Sequence, residues 1–211
     1  NTTMLLQEYR VDGLRWDFTK AIRGRLDGNF NVTQPIPEGI SLLREINTTI
    51  AADPSLFSVA EDLAGDPLIT TDTGNPNGLG FRAQWDTSFH FNVVPELAKA
   101  NDADRNIGTL ANAVTNTDFS KINYIESHDE VWETNSKDRT PWRFDPTNGE
   151  SYRARKMAGI AGAILLTTEG VPLMFQGSEV LELGGANRSW DDSEAIDWSR
   201  LATPNVARFN D

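Results

Sequence analysis

The 211-residue chain is 38% hydrophobic and 9% aromatic, enough for a packed core, and its formal net charge of -12 argues against a nucleic-acid groove or an anionic membrane surface, both of which need clustered Lys and Arg. It has no Cys and only His90 and His128, which excludes a disulfide frame, a thiol nucleophile and a thiolate metal site; no cofactor or metal is expected. The longest apolar run, Met157 to Leu166, falls short of the roughly 20 residues a membrane span needs, so neither membrane nor nucleic acid is an expected partner, and neutral ligands such as sugars stay open.

The chain opens on Asn1, and "TMLLQEY" reads as the last turns of an amphipathic helix running into a first strand, Val11 to Phe18. Within "YRVDGLRWDFTKAI" that strand sets Arg15 and Asp17 two apart on one face, against Leu14, Trp16 and Phe18 on the other. A charged pair in such a run needs a site or a solvent. "EGISLLREINTTIAADP" predicts a helix, with Ile40, Leu43, Ile46 and Ile50 at helical spacing and a stop at Asp53-Pro54. "SLFSVAED" is a second strand. The Gly-, Pro- and Asn-rich "GDPLITTDTGNPNGLG" forbids regular structure, and "GFRAQWD" is a short third strand behind it. Helical pieces are expected over Phe91 to Ala100 and Arg105 to Val114, then a fourth strand, "KINYIESHD". "ESYRARKMAGIAGAILLTTEG" is the longest helix, ending at Gly170 with Pro172 forbidding continuation, and "VPLMFQG" is the fifth strand. In "TPNVARFND", Thr203 and Pro204 read as a helix start, so both ends are expected to be cut.

Repeated strand and helix units point to an α/β fold with a parallel sheet, open or closed into a barrel. Acidic or polar residues end the strands: Asp17, Glu61, Asp86, His128 with Asp129, and Glu179 just past the last. In a β/α barrel that end builds the active site, whereas an open doubly wound sheet usually carries a Gly-rich phosphate loop, and neither GxGxxG nor GxxxxGK[ST] occurs here. The barrel is the expected architecture.

"DGLRWDFTKAI", "FSVAEDLAG", "INYIESHDE" and "GVPLMFQGSE", in that order, resemble four conserved segments of the α-amylase superfamily, glycoside hydrolase family thirteen. The resemblance implies the C-terminal part of a TIM (β/α)8 barrel, strands four to eight, with the first three strands absent; residues 1–211 would be a partial catalytic domain. Asp17 then matches the nucleophile, Glu61 the general acid/base and Asp129 the third carboxylate, which binds sugar hydroxyls and stabilises the oxocarbenium-like transition state. Arg15 would orient Asp17 and favour its charged form. His128 matches a neighbouring donor, Lys20 a residue contacting sugar on the leaving-group side, and Trp85 is expected among the substrate-binding residues.

Taken singly, each residue has a plainer reading. Arg15 and Asp17 make a structural ion pair in many folds, acidic residues end strands in any α/β chain, His128 alone reads as a packed histidine, Trp85 and Trp132 as core or rim, and Glu179 as a brace. Joint placement lifts the carboxylates above that. The resemblance implies a retaining enzyme acting on α-1,4-glucans, its glycosyl-enzyme resolved by a sugar hydroxyl or by water. Ala21, where many amylases carry His, and "FRAQWDTSFHF" lean toward glucan-branching enzymes and the similar trehalose-releasing hydrolases rather than typical α-amylases, whereas "AEDLAG" lacks the Glu and Ser pair of many branching enzymes; the branching type is expected first, an amylase-like or maltooligosyltrehalose-type hydrolase second. Some members of the superfamily are non-catalytic, and they typically lose a carboxylate; all three remain here.

Overall fold

A computed structural model describes residues 2–63, 65–132, 138–185, 188–189 and 195–210, the last three without their side chains. The chain divides into two compact units, Asn1–Asp86 with Phe119–Ile122, and Thr87–Asp118 with Asn123–Asp211.

The first unit opens with α1 (Thr2–Gln7), then β1 (Gly13–Trp16) and the short α2 (Thr19–Arg23). β2 (Gly24–Leu26) and β3 (Val32–Pro35) form an antiparallel hairpin absent from the expected elements. Its turn is built on Asp27, whose carboxylate accepts from the amides of Asn29 and Asn31, both at 2.8 Å. α3 (Pro37–Ala51) leads to β4 (Phe57–Ala60), and β5 (Ala83–Trp85) follows the long loop. β1 pairs parallel with β4, and β4 with β5. The first contact is close: Gly13 faces Phe57, and a Cβ there would lie 2.4 Å from the Phe57 carbonyl oxygen.

α3 forms for the reason its spacing implies. Leu43 and Ile50 lie buried on one stripe, and Leu43 joins Ala60, Ile69, Leu79 and Phe81 in a core against which Trp16, Ile22 and Ile40 pack. Asn47 shares that stripe, and its amide is satisfied by the Leu79 carbonyl at 2.7 Å and the Ser58 hydroxyl at 2.6 Å. The loop expected to be irregular contains one 3-10 turn, Pro67–Ile69, with Pro at its start and Asp66 as cap. Arg44 ties the rest down, its guanidinium donating to the carbonyls of Thr73, Asn75 and Gly78.

In the second unit α4 (Thr87–Ala98) begins earlier than the expected Phe91, because Phe89 and His90 are themselves buried on its inner face. α5 (Ile107–Thr115) follows, and β6 (Lys121–Tyr124) is divided between the units. The expected fourth strand ran to Asp129, but β6 stops at Tyr124, so His128 and Asp129 stand in a turn beyond it. The unforeseen α6 (Thr140–Phe144) precedes α7 (Tyr152–Thr167), then come β7 (Val171–Leu173) and α8 (Pro204–Asn210). α7 buries Met157, Ala158, Ala161 and Leu165 against Phe89, Val93, Val94 and Leu97 of α4. Its N-terminus is capped by Ser151, whose Oγ accepts from the Ala154 amide at 3.0 Å. The strand order of the main sheet is β1-β4-β5-β6-β7, the order of the chain once the hairpin is set aside.

Candidate active site

β1 ends at Trp16, and the chain turns at once through Asp17 and Phe18, the latter left-handed at φ 44 and ψ 48, into α2. That turn lifts the Asp17 side chain, 77% exposed, clear of the sheet while Arg15 stays 34% exposed. Glu61 follows the last residue of β4, the parallel neighbour of β1. Its amide donates to the Trp16 carbonyl at 2.9 Å, and its own carbonyl accepts from the Thr19 amide at 3.1 Å. Adjacent parallel strands therefore deliver Asp17 and Glu61 to the same edge of the sheet, as the alternation of strand and helix dictates.

One guanidinium serves both carboxylates. Arg15 Nη1 donates to Asp17 Oδ1 at 2.6 Å, and Arg15 Nη2 lies 2.6 Å from Glu61 Oε2. The Phe18 amide donates to the same Glu61 oxygen at 2.9 Å. Glu61 is buried, and a buried carboxylate persists only with such donors. Trp85, at the end of β5, is buried too, with the Arg15 guanidinium carbon 5.0 Å from its ring centroid. The ring expected to take a sugar thus carries Arg15 on its face and helps to hold that charge in place. Lys20 is half-buried in the first turn of α2. Asp86, just past β5, lies 3.5 Å from Lys121 Nζ on β6.

The structure brings Arg15, Asp17, Glu61 and Trp85 together in the first unit; His128 and Asp129 belong to the second, where His128 Nε2 stands 3.6 Å from Asp129 Oδ1. Glu179 accepts from the Gly177 amide at 2.9 Å, holding the turn after β7. Glu126, in the segment ahead of Asp129, is buried with Arg139 Nη2 at 3.1 Å, the Thr140 amide at 2.5 Å and the Ser178 hydroxyl at 2.9 Å. Burial pushes its carboxyl up, but Arg139 and these hydrogen bonds outweigh burial and hold it below the usual carboxylate range. Not foreseen from the sequence were Thr19 and Arg23, both of which bind Asp62 beside Glu61, and Asp62 itself. The only local signal was a second acid, Asp62, next to Glu61 after a strand that otherwise carries no charge. Among the described residues no group of three or more His, Asp and Glu stands ready to hold a metal ion, and no helix is long and apolar enough to cross a membrane.

No protein-family model matches the chain. Over 214 aligned residues, 95% of its length, it is 27% identical to the 1,4-alpha-glucan branching enzyme GlgB of Mycobacterium sp. (strain JLS), of which it covers 26%. In three dimensions it is similar to a pullulanase from Anoxybacillus sp. LM18-11 solved with maltotetraose, with a TM-score of 0.62 and 20% identity, over 99% of this chain and 31% of that one. An α-amylase from Geobacillus thermoleovorans solved with acarbose gives a TM-score of 0.61 and 19% identity, over 99% of this chain and 40% of that one. In sequence the chain is similar to this branching enzyme, and in fold to the pullulanase and the α-amylase. Its α/β fold matches part of the (β/α)8 barrel of those two structures, and it spans about a quarter of the length of the curated relatives it matches.

Proposed function

We propose that residues 1–211 are part of the catalytic barrel of a retaining enzyme acting on α-1,4-glucans, of the branching type. The observation that carries this reading is the single guanidinium of Arg15 joining Asp17 and Glu61 at the ends of neighbouring parallel strands. Retention needs two carboxyl groups about 5 to 5.5 Å apart, one as nucleophile and one as acid. In this reading the exposed Asp17 attacks the anomeric carbon, forming an ester as the C–O bond breaks, and Glu61 gives its proton to the departing sugar oxygen. To act as the acid, Glu61 must hold a proton before the bond breaks. Glu61 then takes a proton from the incoming sugar hydroxyl or water, which displaces Asp17. Asp129 meets sugar hydroxyls, with His128 beside it; Lys20 contacts the leaving-group side; Trp85 backs Arg15. A neutral glucan suits a chain of net charge -12.

Similarity to branching enzymes along nearly the whole chain supports transfer to a 6-hydroxyl over release to water. Amylose supplied to the whole protein separates the outcomes. Transfer gives few new reducing ends, a falling iodine colour and new α-1,6 linkages after debranching. A rise of reducing ends matching the bonds lost, with no α-1,6 product, removes the branching reading in favour of an amylase-like hydrolase; no change in the glucan removes both and favours a non-catalytic homologue.

A further inference from the structure

Asp62 follows Glu61 directly, and none of its side chain (0%) is exposed. A carboxylate so placed is costly unless paired and hydrogen-bonded, and it finds those partners on α2. Arg23 closes a fork on it, Nε to Oδ2 at 2.6 Å and Nη2 to Oδ1 at 3.1 Å. Thr19 Oγ1 lies 3.3 Å from the same Oδ2 and 3.1 Å from the Glu61 carbonyl oxygen. Arg23 Nη1 further approaches Asp66 Oδ2 at 3.6 Å, so the loop after β4 meets the same guanidinium twice.

α2 has five residues, too few to hold a helix by its own hydrogen bonds, so its place is set by what it touches. Its front end continues the turn that carries Asp17; its back end is Arg23. A two-pronged bond from Arg23 to the residue after Glu61 therefore fixes how far the turn bearing Asp17 stands from the backbone bearing Glu61. Lysine in place of Arg23 keeps the charge and loses the fork.

We propose that Arg23 and Asp62 are positioning residues for the glycosyl transfer: they touch no substrate and act by setting the proton of Glu61 at the right reach from the bond that Asp17 attacks. This rests on the functional reading above, and the test keeps the two apart. Two substrates are compared in the whole protein. With amylose, the anomeric C–O bond breaks only as Glu61 protonates the departing oxygen; with α-maltosyl fluoride, the C–F electron pair leaves on fluoride, which needs little protonation, while Asp17 forms the same ester. The first-turnover burst of fluoride thus reports Asp17 almost alone.

Asp62→Asn and Arg23→Lys are expected to lower kcat on amylose by about 100-fold with little change in KM, because a displacement near 1 Å costs about that much, and to leave the fluoride burst nearly intact. Thr19→Val keeps the ion pair and removes only the shared hydroxyl; it gives the same split on a smaller scale, and it serves should Asp62→Asn fail to fold. Equal losses with both substrates, or undiminished amylose turnover, overturn the positioning role. Glu61→Gln is the control. A split in Glu61→Gln without one in the Arg23 and Asp62 variants removes this proposal alone. No split in Glu61→Gln, or a wild type inert with both substrates, removes the functional reading and this role with it.

Discussion

Arg15 Nη2 lies 2.6 Å from Glu61 Oε2, so a charge on β1 holds a buried carboxylate delivered by β4. Arg15→Lys places one ammonium where two nitrogens now reach Asp17 and Glu61, and it is expected to lower turnover while KM moves little. Arg15→Ala leaves Glu61 short of a donor, a loss of about 1–3 kcal/mol, toward the low end because solvent reaches part of Arg15. Urea unfolding and glucan turnover check both. Wild-type turnover in Arg15→Lys would show that the bridge has no part in the reaction.

Asp17→Asn is expected to abolish turnover with the fold unchanged. An amide cannot form the glycosyl ester, and at 77% exposure the side chain contributes little to the core, so stability should stay within about 0.5 kcal/mol of wild type. Near-normal activity with an unchanged melting temperature removes Asp17 from the nucleophile role.

Asp145 supplies a dependence on pH outside the site. The Ser151 hydroxyl, first, and that of Thr147 pull its carboxyl down from 3.8 to about 2. A folded-state value below the unfolded one stabilises the fold above the unfolded value, and that contribution is lost as pH falls through the folded one. Stability should therefore drop between about pH 4 and pH 2, and Asp145→Asn should flatten that slope. Urea midpoints across this range measure it; an identical slope in the variant contradicts the assignment.

Two helical glycines should respond oppositely to alanine. At Gly39 a Cβ would meet the Ile22 carbonyl oxygen at 1.9 Å, forcing α2 and α3 apart, and a loss of about 1–3 kcal/mol is expected. At Gly162 in α7 nothing lies within 4 Å, so alanine should gain about 0.5–1 kcal/mol from the lower helical cost alone. Denaturant unfolding of each variant gives both signs, and a stabilised Gly39→Ala would refute the close packing of α2 on α3.

By itself the sequence determined the alternation of strand and helix, and it placed Asp17 and Glu61 after strands, because periods of 2 and 3.6 and the Gly and Pro punctuation act over a few residues. Arg15 and Asp17 were legible as a pair for the same reason. Strand lengths were not: "KINYIESHD" reads as one strand, yet β6 yields after Tyr124 to a turn whose polar groups, Glu126 among them, are satisfied from elsewhere in the second unit. The β2–β3 hairpin did carry a signal, Asp27-Gly28, in a stretch between the first strand and the following helix to which no element was assigned from the sequence. Only the tertiary structure decided that Arg15 reaches Glu61, that Trp85 is buried beneath Arg15, and that Arg23 grips Asp62, partners 39 positions apart in the chain. No local period encodes such contacts: they exist because β1 and β4 lie side by side, and because a buried carboxylate takes the nearest guanidinium that folding brings to it.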